Sequence, residues 1–477
     1  MRNQDQTPLL DALKACTAHA HAPFYTPGHK RGVGISQPLA DLLGTKVFRA
    51  DLTELADLDN LFAPQGVIVA AQDLAAEAFG AEKTWFLVNG STCGIEAAIL
   101  ATCGTGDKII MPRNVHSSVI SGLILSGAIP IFVNPEYDSV LDIAHSITPQ
   151  AVQTALEKHP DTKAVLVVYP TYYGVCGDLQ AIAQITHQYH IPLLVDEAHG
   201  AHFAFHPDLP FSALAAGADL TVQSTHKVLG AMTQASMLHL QGDRIDIHRV
   251  NKALQLVQST SPSYILLASL DAARQQMALY GKGLMSRTLE LADMARRRIS
   301  EIPGLSVLQM PNLDQTRLTV TVSGLGLTGF AAEEILDEKL GVTAEFASLQ
   351  HLTFIISLGN TLSDIEQLVQ GFTSLAQMHP ICIPPSQTGF VLWDNLGCIS
   401  PREAFFAVSE TLPLSQTSDR ICTEIVCPYP PGIPILMPGE LITQGALEYL
   451  QQIQSMGGFI TGCADTSLKT LKVIRNS

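Results

Sequence analysis

Between residues 85 and 240 the chain alternates short apolar runs with longer amphipathic stretches. The runs are Trp85–Val88, Lys108–Met111, Ile129–Val133, Ala164–Tyr169, Pro192–Val195, Asp219–Val222 and Met237–Leu240. Each is short, and several are rich in Val and Ile, which suits strands buried on both faces. The stretches between them, such as Gly94–Ala101, Thr148–Lys158 and Leu179–His190, carry helical spacing. This alternation predicts an α/β protein with a mostly parallel sheet.

Upstream, Leu9–Ala20 predicts a short helix, broken by two prolines and two glycines within Pro23–Gly32. Beyond about Gly281 the pattern changes. Met285–Ile302 reads as a long charged helix, Leu318–Val322 and Thr353–Ser357 as strands, and Ala331–Leu340 as a helix. A proline-rich patch at Pro380–Pro385 and a tail with Pro428–Gly439 follow. The expected organisation is an N-terminal arm over 1–40, a major domain over 41–300, and a smaller C-terminal α+β domain over 301–477. A small terminal region begins near residue 390.

Composition narrows the class. At 477 residues, 47% hydrophobic and 15% charged, the chain can bury large cores and is not a disordered sequence. A net charge of −16 argues against nonspecific nucleic-acid binding and against an anionic membrane surface. The nine cysteines are odd in number, scattered and without a C-x-x-C pair, so neither a disulfide framework nor a zinc knuckle is expected. The first residues resemble no signal peptide, and no apolar run approaches a membrane span. These features predict a soluble, cytoplasmic protein.

Three strand ends carry candidate chemistry. Lys227 sits in Val222-Gln223-Ser224-Thr225-His226-Lys227-Val228-Leu229-Gly230, among hydroxyls, small residues and apolar residues, with no acidic neighbour in sequence. A desolvated lysine is a usable amine nucleophile, although a surface lysine after a strand is the bland alternative. Asp196 ends the buried run Ile191–Val195, where open α/β sheets bind ligands; alone it reads sooner as a cap or turn carboxylate. Ser91, Thr92 and Cys93 lie in Asn89–Gly94, where a strand gives way to a helix, and hydroxyls and free N–H groups at a helix start hold phosphate. An amine, a buried anion and a phosphate cup together suit pyridoxal 5′-phosphate. His116, just past another strand, offers a flat ring for stacking or is a surface histidine.

Two other readings of the same segments fall away. Asp196-Glu197-Ala198-His199 resembles the carboxylate box of helicases, but the chain lacks the G-x-x-x-x-G-K-[ST] loop such enzymes need. His199, His202 and His206 suggest a metal cluster, but Pro207 after the aromatic stretch from Phe203 disfavours a shared helix face, and no metal is expected.

Ser224-x-His226-Lys227 followed by Gly230-Ala231-x-Thr233-Gln234-Ala235-Ser236 resembles the cofactor-attachment signature of the bacterial ornithine/lysine/arginine decarboxylases, enzymes of the PLP-dependent transferase fold type I. The likeness extends to Thr26-Pro27-Gly28-His29, Asp196-Glu197-Ala198-His199, Pro401-Arg402-Glu403-Ala404-Phe405-Phe406, Pro430-Pro431-Gly432-Ile433-Pro434 and Met437-Pro438-Gly439-Glu440. It implies Lys227 as the covalent anchor of pyridoxal phosphate and Asp196 as partner of the pyridinium nitrogen. His116 would stack on the ring. Ser91, Thr92, Ser224 and His226 would hold the phosphate, with Cys93 in the same cup and His226 also counted with Lys227 and Asp196 in the catalytic group. Ala198 and His199 would lie under or beside the ring, Thr171 near its phenolic edge, and Glu440 is a candidate for the substrate's distal cation. The resemblance implies decarboxylation of a basic L-amino acid, arginine or lysine before ornithine, to a polyamine-pathway amine. It also implies a homodimer or higher homo-oligomer, in the compact form that lacks the family's N-terminal wing domain. The rivals are an aminotransferase of the same fold, which would need an arginine such as Arg402 or Arg420 to clamp the α-carboxylate, and a catalytically silent cofactor-binding protein.

Overall fold

The structure is a computed structural model describing residues 2–379, 397–430 and 432–476. The expected patch at Pro380–Pro385, and Pro431, lie outside the described residues. All seven apolar runs form strands: β1 (Lys83–Leu87), β2 (Lys108–Pro112), β3 (Ile129–Val133), β4 (Ala164–Val168), β5 (Leu193–Asp196), β6 (Leu220–Gln223) and β7 (Ser236–Leu240). They make one sheet in the order β1-β7-β6-β5-β4-β2-β3. β2 pairs in parallel with β3 and β4, and β7 runs antiparallel to β1 and β6. The central strands β4, β5 and β6 are buried at every residue, as their unbroken apolar runs require.

The chain divides into two compact units, 1–101 with 195–285 and 102–194 with 286–477. In the first, the helix Gly90–Thr102 lies hard against the sheet: a Cβ on Gly94 would meet Val222 Cγ1 at 2.6 Å and Leu87 Cδ1 at 2.7 Å. Only glycine lets the helix start approach the strands so closely. The expected N-terminal helix is Pro8–Ala18, its Leu9 and Leu13 buried. Leu9 N donates to Asp271 of the long helix Tyr264–Ser300 at 3.0 Å. That helix begins well before the expected Met285. Gly281 lies inside it, where an added Cβ would meet Phe205 Cβ at 3.1 Å.

In the second unit, Ser306–Val307, Arg317–Thr321, His351–Ile355 and Phe346–Ala347 form a four-stranded antiparallel sheet in that order. The helices Gly329–Leu340 and Leu362–Met378 share its core through Leu336, Phe372 and Leu375. Further along, Ser409–Pro413 pairs with Thr470–Ile474, and Cys427–Tyr429 with Phe459–Thr461. The helix Gln444–Ser455 shares a separate core with them. Among the described residues no helix is long and apolar enough to cross a membrane.

Candidate functional site

In the first unit the ends of β5 and β6 and the start of the helix Gly90–Thr102 carry most of the expected residues. Asp196 closes β5 and is 6% exposed. Its carboxylate accepts from Ala198 N at 3.2 Å, an Asx turn that fixes its direction. Burial pushes its pKa up, opposed by the charge of Lys227 and by that amide. The charges of Lys227 and Asp196 therefore act on one another inside the fold.

Lys227 lies in the short helix Thr225–Val228 that follows β6, and its Nζ sits 3.0 Å from His199 Nε2. His199 and Ala198 are both buried in the turn after β5. Ser224, fully buried, donates its hydroxyl to Ser91 Oγ at 2.7 Å. This bond ties the end of β6 to the first turn of the helix Gly90–Thr102. Thr92 is exposed beside it. Cys93 is buried, its thiol donates to Gly90 O at 3.1 Å, and burial pushes that thiol up to about 12, so it stays protonated. His226 is anchored through Nδ1 to Ala235 O at 3.0 Å.

The neighbouring carboxylate, Glu197, faces a different set of groups. It accepts from Ala213 N at 2.7 Å, Gln223 Nε2 at 2.7 Å and Thr221 Oγ1 at 3.1 Å. Gln223 Oε1 meets His239 Nε2 at 3.1 Å, and His239 Nδ1 meets Thr84 Oγ1 at 2.8 Å. Burial pushes Glu197 up to about 7 against these three bonds. The network crosses β5, β6, β7 and β1 and braces the strand ends; sequence reading had no signal for it beyond the paired acids.

The remaining expected residues belong to the second unit. His116 caps the helix Ser117–Ser126, its Nδ1 accepting from Ser118 N at 3.2 Å, which leaves the proton of a neutral ring on Nε2. Gly432 stands over that ring, where a Cβ would lie 3.3 Å from Nε2. Thr171 is buried and accepts from Val175 N at 3.1 Å. Glu440 is fully engaged. Arg113 donates to it from Nε at 3.0 Å and from Nη2 at 2.8 Å, and Met437 N adds a third bond at 3.1 Å. Arg113 also holds Pro434 O and Ile435 O, and both side chains are buried. Such a bidentate pair answers the carboxylate's charge within the fold and ties Glu440 to the Met437–Gly439 turn. Its partner lies too far away in sequence to be read there.

Solved structures bear out the expected fold. A lysine decarboxylase from Pseudomonas aeruginosa superposes with a TM-score of 0.84 at 24% identity, covering 98% of this chain and 80% of that one. The Orn/Lys/Arg decarboxylase major domain matches residues 7–321, and the C-terminal domain of the same family matches 399–464. The chain belongs to the Orn/Lys/Arg decarboxylase family. An arginine decarboxylase from Bacillus subtilis is 41% identical over 99% of both chains. A lysine decarboxylase from Pseudomonas aeruginosa is 25% identical, over 93% of this chain and 75% of its own.

Proposed function

We propose that the protein is a pyridoxal 5′-phosphate-dependent arginine decarboxylase, releasing carbon dioxide and agmatine. The observation that carries the choice of arginine is the end-to-end likeness to the Bacillus subtilis arginine decarboxylase, against a lower and partial likeness to a lysine decarboxylase.

The residues present fit the cofactor. The Ser91–Ser224 hydroxyl pair at a helix start suits its phosphate, Lys227 Nζ its aldehyde, and the buried Asp196 its ring nitrogen. When bound, pyridoxal phosphate supplies an electron sink for the pair left on Cα as carbon dioxide departs. The chain's residues do the rest. Asp196, costly to bury as an anion, is stabilised by a cation placed against it and in return keeps that nitrogen protonated. His199 holds Lys227 Nζ by a hydrogen bond and can take or return its proton. The Glu197 network holds the strand ends so that the amine and carboxylate keep their spacing.

The aminotransferase reading needs an arginine for the α-carboxylate. Both candidates are occupied: Arg402 donates to Ile124 O and Leu125 O, and Arg420 to Glu410 and Ile474 O. A cytoplasmic homodimer accompanies the proposed reading. The test is to supply arginine, lysine and ornithine separately, with no keto acid, and to measure carbon dioxide with agmatine, cadaverine and putrescine. Agmatine equal to carbon dioxide supports the assignment; cadaverine or putrescine as main product replaces arginine, and turnover only with a keto acid overturns decarboxylation.

A further inference from the structure

Away from these strand ends, the N-terminal helix Pro8–Ala18 brings together three ligand types. The thiol of Cys16, a ring nitrogen of His19 and the carboxylate of Asp57 all lie within 4.8 Å of one another. Cys16 is in the last turn, 3% exposed, and His19 is the residue that ends the helix. Asp57 comes from the short turn Ala56–Leu58, which packs on the same helix through the fully buried Leu58. Among the described residues, none of the three ligand atoms makes a hydrogen bond.

We propose that Cys16, His19 and Asp57 form a zinc site that staples the N-terminal helix to the turn at 56–58. A tetrahedral zinc with one sulfur and two nitrogen or oxygen ligands sets neighbouring donors about 3.4–3.6 Å apart. The three donors, within 4.8 Å of one another, close to that spacing when the ion binds. Thiolate and imidazole select zinc over magnesium or calcium, which prefer oxygen alone. Binding displaces the thiol proton to solvent; thiolate and carboxylate then balance the two charges of the ion. The fourth position opens toward solvent, where His19 and Asp57 are exposed and the ring of His21 lies 5.3 Å from that of His19.

Two guanidinium groups lie nearby and both donate to the backbone: Arg31 to Cys16 O at 2.9 Å, Thr17 O at 2.7 Å and His19 O, and Arg49 to Thr17 O at 3.1 Å. No other group of His, Cys, Asp and Glu among the described residues gathers its ligand atoms this closely. The scattered cysteines gave no hint of it in sequence, because the third ligand is remote.

The test uses the full-length, cofactor-loaded protein. It is equilibrated with zinc, stripped of loose metal by a weak chelator on a desalting column, and analysed for zinc per chain. One zinc per chain is expected, with a single sulfur scatterer at about 2.3 Å by X-ray absorption. Cys16→Ser, His19→Ala and Asp57→Asn should each weaken zinc binding by on the order of 100-fold. Cys463→Ser should leave it unchanged. His19 is exposed, so its variant keeps the test valid even if Cys16→Ser fails to fold. Zinc well below one per chain, or retained equally by the His19 and Asp57 variants, overturns the site.

Discussion

Two buried carboxylates, one in each unit, differ in how the fold answers their charge. Glu440 is met by the two-pronged guanidinium of Arg113 and by an amide, so its charge is answered inside the fold. Asp196 is buried as deeply but, among the described residues, accepts from one amide, and the charge set against it is that of Lys227. Burying an ion without a matched partner costs several kcal/mol, and such a group persists where something else completes it. Under the proposed function the matched pair is structural and the unmatched carboxylate receives the cofactor's ring nitrogen.

Four substitutions probe that contrast, beginning with the largest effect. Lys227→Ala should abolish turnover and the visible absorption of the cofactor-loaded protein, checked by spectrum and carbon dioxide assay; a retained band would show that another amine anchors the group. Asp196→Asn should keep the cofactor but lose turnover. An opposite-charge pair at about 4 Å is worth roughly 4 kcal/mol at an effective dielectric of about 20, which corresponds to a loss of roughly several hundredfold in kcat. Near-normal kcat would remove Asp196 from the chemistry.

Glu440→Gln should act on stability instead. Leaving Arg113 buried without its anion costs about 3 kcal/mol, seen as a lower midpoint in urea, while KM for arginine in the folded fraction stays unchanged. A raised KM with intact stability would restore Glu440 as a substrate reader. The smallest effect concerns Glu197. Burial raises its folded pKa to about 7, above its unfolded value, so the folded state binds the extra proton between about 4.5 and 7. Its unfavourable contribution is absent at acid pH and grows as pH rises through that window. Glu197→Gln should flatten this fall, so thermal midpoints of the two proteins should converge toward pH 5 and diverge toward pH 8; parallel curves would contradict it.

Much of this was legible in the chain. The seven strands follow from apolar runs of four to six residues, because a strand buried on both faces admits no polar alternation. Lys227, Asp196 and Ser91 stood out because each ends or follows such a run. What stayed hidden were interactions between distant positions: Arg113 with Glu440, His199 with Lys227, Gln223 with His239, and Asp57 with Cys16. The helix Tyr264–Ser300 was expected only from Met285; glycine is costly in a helix by propensity, yet at Gly281 an added Cβ would crowd Phe205. Tertiary contact decided each of these, and a single sequence shows only one partner at a time.

The most direct measurement is to reduce the cofactor-loaded protein with borohydride, which fixes pyridoxal phosphate to the lysine that carries it, and to map the labelled peptide. The account predicts one label, on Lys227, and none in Lys227→Ala. A label on any other lysine, or none at all, would contradict it.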